Sequence, residues 1–220
     1  MEKVRTIHVK GMGQASMSPD YVTISLKLSA KHKEYAHAMQ IGAQQVDMLR
    51  EAVVSAGFSA DELKTTDFSV DSEYENEEYE ENGFTRYHRV FIGYECIHKL
   101  RLAFELDQER ITKAMTAIED CVAEPEASIV FTVKDARLMR DLIMESAAED
   151  AQRKAEILCR ASGVKLGNLL RIEYSWSKVE IGNYIDIPMW MPKGNKSSTY
   201  NIQPDDVRGE DTVDFIWEIC

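Results

Sequence analysis

Three groups of residues have the types and spacing from which chemistry could be built. Gly11-Met12-Gly13 could open a phosphate-binding loop, in which glycines let backbone N–H groups approach a phosphate at the start of a helix. The run from Asp71 to Gly83 concentrates seven carboxylates, Asp71, Glu73, Glu75, Glu77, Glu78, Glu80 and Glu81, that could gather around a calcium ion. Four cysteines (Cys96, Cys121, Cys159, Cys220) and five histidines (His8, His32, His37, His88, His98) could supply nucleophiles, bases or metal ligands.

Each group has a plainer reading. A phosphate loop needs a third glycine and a following helix, whereas Gly13 is followed by a strand pattern, so the pair reads as backbone permissiveness at a bend or bulge. The acidic run lacks the regular spacing of an oxygen cage and carries Asn82-Gly83, a turn signal, which makes it a solvated hairpin tip. The cysteines are dispersed, with no Cys-x-x-Cys pair and no histidine at ligand spacing, and read as small buried hydrophobes; Cys159 beside Arg160 is the one candidate for a reactive thiol. The histidines fall in strands or on a helix edge and read as structural or solvent-facing. Trp176, Trp190 and Trp217 with Tyr174 and Tyr184 could wall a pocket for a planar ligand, although core packing is the plainer reading. With no Gly-x-Ser-x-Gly, His-Glu-x-x-His or P-loop pattern, the expectation is a protein that is not an enzyme, with no catalytic residues, no cofactor and no metal.

The elements that would position these residues follow from periodicity. Ile7, Val9, Gly11, Gly13 and Ala15 alternate, as do Val22, Ile24, Leu26, Leu28 and Ala30, predicting two half-buried strands joined by Pro19-Asp20 as a first hairpin. From Glu34 to Ala56 an apolar stripe of Tyr35, Ala38, Met39, Gly42, Val46, Leu49 and Val53 predicts a helix stopped by Gly57. Thr66 to Tyr74 and a long strand with Val90, Ile92, Tyr94, Cys96, His98, Leu100, Leu102 and Phe104 on one side form a second hairpin, with the acidic tip at 71–83 between its arms. Asp107 caps a short helix, Ile129 to Val133 is a brief strand, and Asp135 caps the longest helix. That helix runs to Ser162, has Leu142, Ser146, Ala147, Ala151, Ala155 and Leu158 near one face, and its small residues allow close approach to a sheet or a second helix. Leu170, Ile172, Tyr174 and Trp176 alternate next, and Val213 to Ile219 is a last strand inside the sheet, where it can neighbour the first.

Residues 177–209 hold Pro188, Pro192 and Pro204 and read as a long irregular loop. Within it Ile187, Met189, Trp190 and Met191 are apolar, and either pack against another subunit or partner or fold back onto their own sheet. The expected fold is α+β, an antiparallel-rich sheet built from hairpins with helices packed mainly on one face, and residues 1–220 form a single domain.

A formal net charge of −12 and an isoelectric point near 4.9 oppose a sequence-independent grip on nucleic acid or anionic membranes. No window reaches the run of about 18 apolar residues that spans a bilayer, and the first residues run straight into a strand pattern without a signal peptide's apolar core, so the expected location is cytoplasmic.

The stretch Gly11 to Asp20 resembles the N-terminal signature of the SIMPL domain family, domain of unknown function 541. The resemblance continues in order through Leu49 to Gly57, Leu63-Lys64-Thr65-Thr66, Ile92 to Cys96, and Ala161-Ser162-Gly163-Val164-Lys165-Leu166-Gly167. It implies a non-enzymatic, oligomer-forming protein. Bacterial relatives are linked to oxidative and envelope stress and are often exported, and animal relatives to signalling through kinase association. The expectation is therefore a homo-oligomer of bacterial type using Ile187, Met189, Trp190 and Met191, with no nucleic acid partner. The alternative is a small-ligand binding protein, or a hydrolase, with its pocket under the 177–209 loop.

Overall fold

The computed structural model describes residues 4–81, 84–175, 183–186 and 202–220. In chain order the elements are β1 (Thr6–Met17), β2 (Tyr21–His32), α1 (Tyr35–Ser55), β3 (Leu63–Glu81), β4 (Phe84–Glu105) and α2 (Gln108–Glu119). They continue with β5 (Glu126–Thr132), α3 (Ala136–Ala161), β6 (Leu166–Glu173), β7 (Asn183–Asp186) and β8 (Val207–Ile219). This is the expected α+β class, with antiparallel sheets, and it divides into two compact units.

The first unit holds residues 1–20, 131–183 and 204–220. Its sheet has the order β1-β8-β6, and β8 pairs with β1 antiparallel from Thr6 opposite Glu218 to Met17 opposite Val207. The terminal strands are thus neighbours, as their patterns suggested, and β8 is central. α3 covers one face, with Val9, Ala147, Ala151, Ala155, Val213, Phe215 and Trp217 forming the core beneath it.

The second unit holds residues 21–130 and 184–203, with the sheet order β3-β4-β2-β5-β7. Here the apolar alternations meet in register: Val22, Ile24, Leu26 and Ala30 lie opposite Phe104, Leu102, Leu100 and Cys96, all at most 2% exposed. A one-residue slip would turn every one of them to the other face. Full burial of each large side chain among them contributes about 1.5–3 kcal/mol. α1 lays Ala38, Gly42, Val46, Leu49 and Val53 on this sheet. Asp107 caps α2 by accepting from the Arg110 N–H at 2.8 Å, and Asp135 caps α3 by accepting from Arg137 and Leu138 N–H, both as read from sequence.

Three expectations are corrected. β1 and β2 do not form a hairpin; they belong to different sheets. Asp20 is tied elsewhere: its N–H donates to the Thr132 carbonyl at 3.2 Å and its carboxylate accepts from the Lys134 N–H at 2.7 Å. Second, residues 71–81 are not a loop but the end of β3, paired rung by rung with β4 as far as Glu81 opposite Phe84. Third, the alternation on β4 breaks at a bulge where Glu73 faces Gly93 and Tyr74 faces Phe91, leaving Ile92 without a partner. Gly93, at φ +155, permits it, so Ile92 leaves the core side.

Candidate functional site

The Gly-x-Gly pair is a contact surface for a helix. A Cβ on Gly11 would lie 2.0 Å from the Ala147 carbonyl oxygen, and one on Gly13 would lie 1.9 Å from that of Ile143. The steps match: two residues along a strand rise about 6.7 Å, and four along a helix rise about 6 Å. α3 therefore runs antiparallel to β1, setting one helical turn against every second strand residue.

A second ladder lies beside the first. Among the described residues β1 pairs only with β8, so the backbone groups of Lys10, Met12 and Gln14 point away from the sheet. Three α3 side chains, again four residues apart, receive them. The Gln14 N–H donates to Ser146 Oγ at 3.2 Å, the Met12 N–H to Asp150 Oδ2 at 2.9 Å, and Lys154 Nζ donates to the Lys10 carbonyl at 3.2 Å. An open strand edge is a template for further pairing, and this one is closed from within the chain.

Asp150 is the centre of the lock. Lys154 Nζ sits 2.6 Å from Oδ2 and Arg153 Nη2 2.6 Å from Oδ1, and the side chain is 16% exposed. The hydrogen bond from Lys154, then that from the Met12 N–H, hold its carboxyl down from the usual 3.8 to about 2. A lowered folded-state value stabilises the fold above the unfolded value, and that stability disappears as pH falls through the window from about 4 to about 2. Asp150→Asn is accordingly expected to flatten the acid limb of a melting-temperature profile between those pH values, while leaving its shape near neutrality unchanged. Parallel wild-type and variant curves would contradict this role. The cleft over the ladder, about 410 Å³, is lined by Met12, Gln14, Ser146, Glu149 and the three charged residues just named.

The other sequence candidates are scattered. Cys96, Cys121 and Cys159 are buried, and Cys220 is exposed. Burial pushes the Cys96 thiol up, and Cys159, the one suspected of reactivity, is 2% exposed in the α3 row. A thiol reagent should therefore modify Cys220 at once in the native protein and the other three only on denaturation; rapid modification of Cys159 would refute the placement. His98 faces α1 with Nδ1 buried and unpartnered among the described residues, and burial lowers its pKa. His88 lies 3.7 Å from Glu77 on the exposed ribbon. Along β3, Asp71, Glu73, Glu75 and Glu77 fall on one face and Glu78 on the other.

The α3 row also differs from expectation at its ends. The buried residues are Met139, Ile143, Ala147, Ala151, Ala155 and Cys159, whereas Leu142 and Leu158 are exposed. A strict four-residue row turns about 40° per step around a 3.6-residue helix, which lets α3 follow the twist of the sheet.

Sequence reasoning missed an exposed apolar strand. Among the described residues β6 is the outer strand of its sheet, paired only with β8, and Leu169, Leu170 and Ile172 are 46%, 51% and 54% exposed. Their alternation looked like a half-buried strand. Ile187, Met189, Trp190 and Met191 lie outside the described residues.

An antiparallel α+β scaffold whose glycine signature seats a helix, and whose polar residues close a strand edge, defines a packing architecture and not a nucleotide-binding one. The chain belongs to the SIMPL family, proteins of unknown function (DUF541), which it matches over residues 7–217. It is also similar to the mouse (Mus musculus) interleukin-1 receptor-associated kinase 1-binding protein 1, 23% identical over 174 residues. That alignment takes in 79% of this chain and 61% of the mouse protein.

Proposed function

We propose that this SIMPL protein acts by association, as a non-enzymatic, self-assembling module, and that β6 is a principal contact. The observation that carries the reading is the coincidence, on one strand, of an edge unpaired among the described residues with Leu169, Leu170 and Ile172 about half exposed. Native proteins blunt such edges with charges, prolines or a covering segment; α3 covers the β1 edge, whereas among the described residues no segment covers β6, whose charges are the Arg171–Glu173 ion pair. A second copy supplies that cover, and Ile187, Met189, Trp190 and Met191, outside the described residues, are proposed as a further self-association contact. The mouse relative bears the name of a binding protein, which supports association as the mode of action. The cytoplasmic, stress-linked setting implied by the family resemblance is part of the same proposal. Self-association is tested by the concentration dependence of solution mass: species heavier than 25.1 kDa at micromolar protein support it, and a monomer that retains a bound small molecule supports the rival ligand-binding reading.

A further inference from the structure

Beyond Gly93, β4 loses β2 as a neighbour, because β2 ends at His32 opposite Tyr94. The rungs from Tyr74–Phe91 to Glu81–Phe84 thus form a two-stranded ribbon with both edges open among the described residues. Its surface is unusual for a solvated tip. Phe84 is 71% and Tyr87 65% exposed, and Tyr74, Tyr79 and Phe91 are each at least 40% exposed. Between residues 71 and 91 the seven carboxylates meet only Arg86 and Arg89 as fixed cations.

The ribbon already displays the chemistry it favours. Tyr74, Asn76 and Glu78 share one face with their partners Phe91, Arg89 and Tyr87. On that face the Arg89 guanidinium lies 4.5 Å above the Tyr74 ring, a cation held by an aromatic face. Two rungs further out Tyr87 has the same aromatic character beside Glu78, and Glu75 and Glu78 make no ion pair among the described residues. We propose that this ribbon docks a basic polypeptide segment in extended form, adding it as a strand and taking its Arg or Lys side chains onto Tyr87 and Glu78 on one face of the ribbon and onto Glu75 on the other. A strand presents side chains to one face every second residue, the same repeat as the ribbon's rungs. Charge decides the occupant. A second copy of a chain with net charge −12 would bring like charge to an acidic ribbon, whereas a basic segment neutralises it. The surface is separate from β6, so self-assembly and docking stand or fall independently.

The test uses the full chain and a fluorescent peptide of repeating Arg-Arg-Val-Val, about twelve residues long, whose neighbouring Arg side chains reach opposite faces, with a Glu-Glu-Val-Val peptide as comparison, at about 50 and about 300 mM salt. Binding of the basic peptide alone is expected, weakened at least about tenfold by Glu75→Gln with Glu78→Gln and about fivefold by Tyr87→Ala. The equal charge change at Glu51→Gln with Glu145→Gln, on exposed helix faces, should alter it less than about twofold. Solution mass and melting temperature should stay unchanged in all of these variants. Equal weakening by the control pair would overturn the proposal in favour of non-specific attraction. No binding, with aggregation of the ribbon variants, would overturn it by making the carboxylates a guard against edge pairing, and loss of assembly in Tyr87→Ala would assign the ribbon to a second copy.

Discussion

Alanine at Gly11 or Gly13 is expected to destabilise the protein by at least about 3 kcal/mol, above the usual range for overpacking, or to prevent folding of the first unit. The Cβ of each would sit about 2 Å from a main-chain carbonyl of α3, not from a side chain that could swing away. Relief would require α3 to lift off β1, breaking the contacts of Ser146, Asp150 and Lys154 with the strand edge and opening the core around Ala147 and Ala151. Met12→Ala is the comparison: Met12 lies between the glycines, is 49% exposed and turns to the opposite face, so its truncation should cost no more than about 0.5 kcal/mol. Denaturant unfolding of the three variants measures both. Because the clash is with main chain, trimming Ala147 or Ala151 to glycine should not restore Gly11→Ala. A Gly11→Ala or Gly13→Ala protein as stable as wild type would show that α3 does not sit where the ladder places it.

Leu169→Lys with Ile172→Lys is expected to weaken self-association at least about a hundredfold, leaving a folded monomer of 25.1 kDa. Both side chains are about half exposed, so within one chain the replacements should cost little; across a subunit contact they place charges where apolar surface was. The melting temperature extrapolated to low concentration should hardly move while the mass falls. Trp190→Ala, at the apolar segment singled out in the sequence, is the companion variant, and its effect should add to that of the β6 pair. Loss of folding in the lysine variant would instead place Leu169 and Ile172 in the chain's own core.

What the sequence made legible was whatever is written in a single element. The helix starts at Asp107 and Asp135, the Ala147-Ala151-Ala155 row and the alternations of β2, of β8 and of β4 from Tyr94 onward are local signals, and the structure carries each. Partners are not local. Alternation in β1 fixes which residues face inward but not whether β2 or the distant β8 lies alongside, and Pro19-Asp20 has the composition of a hairpin turn whether or not the strands pair. The same holds for the lock on β1: Ser146, Asp150 and Lys154 look like an ordinary polar helix row, and only the register of α3 on Gly11 and Gly13 reveals that they serve a strand edge. The acidic run misled because high charge suggested a loop, whereas carboxylates at every second position of an extended strand stand about 6.7 Å apart, a spacing that a paired ribbon can carry. Exposure of β6 had no local signal at all, since a half-buried strand and an uncovered one share the same alternation.

The self-assembly proposal is tested most directly by the mass of the unmodified chain in solution, from light scattering during size exclusion at low and at high salt. A multimer of 25.1 kDa units that persists at high salt is the predicted result, because apolar contacts on β6 are not screened. A 25.1 kDa monomer at every concentration and salt would contradict it.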